Sequence, residues 1–155
     1  MVAQGQLVAA LEAKSQVGPS FGNNFNNRTE EAMGSALDLW TAFREQAFGS
    51  AVRPWIGYMF LLEECPRSTT PVAVKEPHFK VFPELHDSSY AKRYELFCQR
   101  LVLEGHYDGS AFLLSNPEKG LRGEYAEPAP DLRFQSFANS LVAHVAAFSG
   151  RIKQL

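Results

Sequence analysis

Leu7-Val8-Ala9-Ala10-Leu11 runs into Glu12, Ala13 and Lys14, so an acid and a lysine stand two residues apart at the end of an apolar stretch. In a β-strand successive side chains alternate faces, which sends Glu12 and Lys14 out on one side and Ala13 on the other. A carboxylate holds a hard divalent cation through oxygen, and the Ala13 carbonyl offers a second oxygen ligand. A lysine beside such a site orients an attacking water or stabilises charge developing on a phosphate. The spacing fits the second half of a metal-dependent nuclease signature, with Glu12 and Lys14 as catalytic residues and Glu12 and Ala13 as metal ligands. The first half, an aspartate on a neighbouring upstream strand, has no counterpart in the eleven residues before Glu12. The solvated end of an ordinary strand produces the same Glu-x-Lys spacing. Gln16 continues the face of residues 12 and 14, where it would touch the scissile phosphate or position water; as a polar loop residue it would do neither.

Beyond Lys14 comes an amide-dense run that reads as a loop leading into a helix: Gly18-Pro19-Ser20-Phe21-Gly22-Asn23-Asn24-Phe25-Asn26-Asn27-Arg28. Further on stand Lys75-Glu76-Pro77-His78-Phe79-Lys80-Val81-Phe82-Pro83-Glu84 and Ser89-Tyr90-Ala91-Lys92-Arg93-Tyr94-Glu95-Leu96-Phe97-Cys98. With these segments the chain closely resembles the XhoI family of type II restriction endonucleases, from residue 7 to about residue 150. The resemblance implies a PD-(D/E)xK nuclease fold and Mg2+-dependent hydrolysis of double-stranded DNA at the palindrome CTCGAG. A palindromic target in turn implies a homodimer whose two-fold axis matches that of the site. Restriction biology adds a companion methyltransferase that protects the same sequence. The family's amino-terminal portion, expected to carry the first catalytic acid, is lacking here, so the 155 residues are expected to cleave little alone and to associate. Two other readings stand beside this one: an inactive remnant that folds or binds DNA without cutting, and a DNA-repair nuclease on the same fold.

Asparagine pairs bidentately with adenine and arginine with guanine in the major groove, and both bases occur in CTCGAG. The same groups also bind phosphate and set register. On this reading Ser20, Asn23, Asn24, Asn26, Asn27 and Arg28 contact DNA along with Gln16, Arg28 leaning toward phosphate. Asparagine also tolerates left-handed turns and caps helices, and Asn27 with Glu30 three residues on makes a capping-box pattern. Glu30 and Glu31 offer a further metal carboxylate, but acids at a helix start complement its dipole and are read that way. No Gly-x-Ser-x-Gly elbow surrounds Ser20. His78, His86, His106 and His144 show no metal-ligand spacing.

The elements that must position these residues follow from periodicity. Gly5 suits a hairpin turn before a strand over 7–14. A helix from Asn27 to about residue 47 would bury Met33, Leu37, Trp40, Phe43 and Ala47, with Gly49 and Pro54 ending it. Residues 55–62 form a continuous apolar run, a buried strand, and the strand–helix–strand order implies a crossover and parallel pairing. Pro66 and Pro71 mark a turn, 72–74 a short edge strand and 77–83 an extended linker. A helix over 89–104 turns Tyr90, Tyr94, Phe97, Leu101 and Val102 inward. A strand at 110–115 and a loop over 120–130 follow. Asp131 then caps a final helix striped by Phe134, Phe137, Leu141, Val145, Phe148 and Ile152. The expected fold is α/β: one domain with a mixed central β-sheet flanked by helices, a restriction-endonuclease-like core without its opening elements.

At 155 residues the chain is long enough to bury a real core as one domain. A hydrophobic content of 45% against 21% charged residues excludes a disordered chain. No apolar run approaches the length of a membrane span and no signal peptide opens the sequence. Cys65 and Cys98 sit in no CxxC pair, so a cytoplasmic location with reduced thiols is expected. The net charge of −2 runs against a DNA-binding surface. That objection weakens if Arg28, Lys92-Arg93 and Arg151 with Lys153 face the duplex while acids hold the metal.

Overall fold

The computed structural model describes residues 1–49 and 52–152; Lys153 of the expected basic cluster and the side chain of Ile152 lie outside the described residues. Gln4 and Gly5 both take left-handed backbone, φ 50° and 75°. This turns β1 (Val2–Ala3) back on β2 (Gln6–Leu7) as an antiparallel hairpin, with the turn at the expected glycine. The expected 7–14 strand therefore breaks at Val8: Leu7 belongs to the hairpin, and β3 runs over Ala9–Gln16.

Helix α1 spans Phe21–Arg44, so the amide-rich run is helix rather than loop. An asparagine costs about 0.7 kcal/mol or less relative to alanine in a helix. Phe21 is buried and Phe25 packs on the same core, each worth about 1.5–3 kcal/mol when fully buried. Tertiary burial outweighs the poor local propensity. Ser20, not Asn27, holds the N-cap position, and the capping box expected from Asn27 and Glu30 does not form. The buried face is also rotated from the expected one: Ala32 and Ala36 are buried with Leu39 and Trp40 packed beside them, while Met33 and Leu37 are exposed. Two alanines let the helix lie close to the sheet, which a face of large side chains would not allow.

The buried strand expected at 55–62 is β4 (Trp55–Glu63), parallel to β3 with Glu12 opposite Tyr58 and Lys14 opposite Phe60. The short helix α2 (Pro66–Thr69) follows. Residues 72–74 form no strand; Val72 N donates to Ser88 O, a contact that ties down the irregular segment instead. Helix α3 (Tyr90–Leu103) starts where expected, with Ser89 Oγ accepting from Lys92 N at 3.1 Å. It buries Tyr94, Cys98 and Leu101 and leaves Val102 exposed, against expectation. β5 (Gly109–Ser115) pairs parallel with β4, giving the order β3-β4-β5. The short helix α4 (Pro117–Gly120) leads to a single antiparallel bridge between Leu114 and Ala126. Asp131 falls within a 3-10 turn, Pro130–Leu132, so it does not cap helix α5 (Phe134–Ile152). Glu127 Oε1 accepts from Phe134 N at 2.7 Å and takes that part. In the α5 stripe Phe137 and Phe148 are buried but Phe134 is exposed.

The α/β class thus holds, with a parallel three-stranded sheet; the antiparallel pairing is confined to the hairpin and the bridge. α1 and α3 pack on one face around an aromatic core in which the Phe60 and Tyr94 rings stack at 4.0 Å. α5 covers the other face through Ala9, Trp55, Ala111 and Phe137. Gly57 is required there, since a Cβ would sit 2.2 Å from the Trp55 ring. Cys65 and Cys98 are both free thiols. Among the described residues no helix is long and apolar enough to cross a membrane.

Candidate active site

β3 alternates along its length, and Glu12 and Lys14 leave the strand on the side of α1 while Ala13 is exposed on the other. Lys14 Nζ lies 3.3 Å from Glu12 Oε1 and 3.3 Å from Glu31 Oε2. Glu31 Oε1 in turn takes Arg28 at 3.0 Å. Charges therefore alternate from strand to helix: Glu12, Lys14, Glu31, Arg28. Along α1, Arg28, Glu31, Ser35 and Asp38 recur every three or four residues and share one stripe. With Glu12 and Lys14, the Ser35–Asp38 part of the stripe lines a cleft of about 760 Å³ whose floor includes Leu39 and Ile56.

Two features single out Glu12. Its Oε2 accepts the Tyr107 hydroxyl at 2.7 Å, and that hydroxyl also lies 2.9 Å from Ala32 O on α1. Burial, reinforced by the Glu12 carboxylate, pushes the Tyr107 hydroxyl well above the usual tyrosine range, so it stays a donor. Glu12 Oε1 is buried and has Lys14 at ionic distance but no hydrogen-bond partner. A buried, under-satisfied carboxylate oxygen has room in its coordination for a cation or water. Ala13 adds to this by ladder parity. Val8 O accepts from Trp55 N on β4, whereas Ala9 exchanges bonds with Met1 on the outer side. In a parallel ladder these directions alternate residue by residue, so the Ala13 carbonyl faces the outer edge of β3, away from β4. Among the described residues no group of three or more His, Cys, Asp or Glu side chains is placed to hold a metal ion. Of the expected ligands, Glu12 lines the cleft and the Ala13 carbonyl lies at the strand edge, while Glu31 stands across Lys14 from Glu12.

The other expected contacts are distributed differently. Gln16 does share the face of Glu12 and Lys14, but it is 4% exposed. Its Nε2 donates to Phe21 O at 3.2 Å and its Oε1 accepts the Tyr94 hydroxyl. The amide joins the end of β3 to the start of α1 and to α3, an internal tie distinct from both roles expected of it. Ser20 and Asn23 border a second recess, of about 560 Å³, that also includes Arg67, Thr70 and Tyr90. Asn23, Asn26 and Asn27 are exposed, while Asn24 and Arg28 are half-buried. Glu31 lies well inside α1 rather than at its start, so the dipole reading does not apply to it. Arg28, Glu31, Ser35 and Asp38 all fall inside the helix expected from Asn27, so its periodicity was the signal that could have disclosed this stripe. Tyr107, which follows α3, carried no local signal at all.

A family model for restriction endonuclease XhoI matches residues 1–127. The chain is 60% identical over 140 residues to the type II restriction enzyme BstVI of Geobacillus stearothermophilus, covering 90% of this chain and 62% of that protein. It is 53% identical over 100 residues to the type II restriction enzyme XhoI of Xanthomonas vasicola, covering 64% of this chain and 40% of that one. To the type II restriction enzyme AbrI of Azospirillum brasilense it is 64% identical over 75 residues, 48% of this chain and 34% of the relative. The chain therefore spans less than two thirds of the length of these curated relatives. No solved structure matches it. Its Glu-x-Lys strand, its parallel α/β core and this extent of identity together place the chain in the XhoI restriction endonuclease family.

Proposed function

We propose that the chain carries the catalytic strand of a type II restriction endonuclease that hydrolyses double-stranded DNA at CTCGAG with Mg2+. The observation that carries this reading is the Glu12–Lys14 contact, in which one buried carboxylate oxygen is left without a hydrogen-bond partner. Glu12 and the Ala13 carbonyl would hold the ion, which when bound supplies Lewis-acid activation at the phosphate. Lys14 then orients the attacking water and offsets the charge that grows on the phosphate oxygens. Arg28, held by Glu31 beside Lys14, would meet a neighbouring phosphate. Ser20, Asn23, Asn24, Asn26 and Asn27 form the rest of the DNA-facing set, now as a helical ridge. A second acid beside the Ala13 carbonyl, at the edge of β3, would complete the ion's ligands. The enzyme works as a homodimer in the cytoplasm, beside a methyltransferase for the same site.

The test uses two proteins, this chain and a version extended at its amino terminus to the length of its relatives. Each is incubated with Mg2+ and a plasmid bearing one CTCGAG. Little cleavage by the chain and clean linearisation by the longer protein are expected. Linearisation by the chain alone would show that it completes its own metal site. Cutting that ignores CTCGAG would instead favour a repair-type nuclease, and binding without cleavage by both proteins would favour a non-cutting remnant.

A further inference from the structure

We infer that Tyr107 is a positioning residue for Glu12: its hydroxyl ties the β3 carboxylate to the α1 backbone and leaves Glu12 Oε1 turned to Lys14. The inference rests on the reading of Glu12 as a metal ligand. Oε2 receives the hydroxyl at 2.7 Å, and Ala32 O stands 2.9 Å away on the other side. A single proton serves these two acceptors, and the carboxylate is the stronger one. Ala32 directly follows Glu31, so the same hydroxyl lies where the strand and the helix turn that carry the two carboxylates bracketing Lys14 approach each other.

Tyr107 is itself held firmly. Its N–H donates to Leu101 O at 3.0 Å, at the end of α3. The next residue, Asp108, clamps the start of β4: Asp108 N donates to Ile56 O at 2.8 Å and Ile56 N donates to Asp108 Oδ2 at 2.7 Å. Arg53 pairs with the other carboxylate oxygen of Asp108. The ring is 1% exposed, 5.4 Å from that of Tyr58. Tyr58 supplies the internal contrast. It is equally buried, yet its hydroxyl has no partner. The core therefore tolerates a tyrosine oxygen that does nothing, whereas that of Tyr107 is aimed at a carboxylate.

The experiment begins with a double-mutant cycle in melting temperature between Tyr107→Phe and Glu12→Ala. The shift of the double variant is expected to fall short of the summed single shifts by about 3 °C or more; additive shifts overturn the inference. Mn2+ binding by calorimetry supplies the second readout. Loss of an outer hydrogen bond to a metal ligand typically weakens affinity about tenfold or more. Tyr107→Phe is expected to show this, while Tyr58→Phe stays within about twofold of the wild type. Unchanged affinity in Tyr107→Phe, where Glu12→Gln does bind more weakly, also overturns the inference. If Glu12→Gln leaves Mn2+ binding untouched, the metal reading of Glu12 fails instead, and the cycle alone decides the role of Tyr107.

Discussion

β3 and β4 run side by side in parallel register from Ala9 opposite Trp55 to Gln16 opposite Leu62, yet they differ in kind. Ile56, Tyr58, Phe60 and Leu62 of β4 are fully buried, and the alternate positions are largely covered by α5. β3 exposes Leu11, Ala13 and Ser15 on one face and sets Glu12 and Lys14 in a half-open cleft on the other. A central parallel strand is covered on both sides and must be apolar. An edge strand keeps one side free, so it can present charges and backbone carbonyls where packing is incomplete. The proposed chemistry sits one strand away from stability.

The largest test of that separation is Phe60→Ala against Lys14→Ala. Phe60 is stacked on Tyr94 and fully buried, so its truncation is expected to cost about 3–5 kcal/mol in urea unfolding. Lys14 loses two ion pairs that are partly open to solvent, and its removal is expected to cost about 1 kcal/mol or less. Equal losses at the two positions would erase the distinction between the strands.

A pH dependence sharpens the same contrast. Burial holds the hydroxyls of Tyr58, Tyr94 and Tyr107 above the usual tyrosine range and pushes the Cys98 thiol up to about 12. In the unfolded chain tyrosines ionise near pH 10 and cysteine near 8.5. Above those values the folded state binds more protons than the unfolded one, so stability falls as pH rises. Stability against urea should be level near neutrality and decline from about pH 9 upward, as these groups ionise in the unfolded chain first. Tyr58→Phe should make the decline shallower by about 1.4 kcal/mol per pH unit above pH 10. A decline unaltered in that variant would mean that Tyr58 ionises equally in both states.

The smallest expected effect belongs to Arg28, at the far end of the charge chain. Arg28→Ala in DNA binding measured against salt should reduce the slope by about one and weaken cognate and random duplexes alike if the guanidinium meets a phosphate. A loss confined to the CTCGAG duplex, about 1–3 kcal/mol, would move Arg28 to base reading.

Strand alternation by itself determined that Glu12 and Lys14 share a face and Ala13 does not, because side-chain direction in a strand is a local property. The continuous apolar run of β4, the parallel pairing implied by strand–helix–strand order, and the span of α3 were legible for similar reasons. The start of α1 was not. Four asparagines and a preceding proline point to loop, and only the core that receives Phe21 and Phe25 makes them helical. That misplaced start in turn hid Glu31, which reads as a dipole-capping acid unless the helix begins at Phe21, ten residues before it. Gln16 shared the predicted face, but tertiary packing decided that it would meet Phe21 and Tyr94 inside rather than solvent outside. Tyr107 meets Glu12 across ninety-five residues of chain. No spacing rule reaches that far, since the contact exists only once α3, the Asp108 clamp and β5 have brought the loop beneath α1.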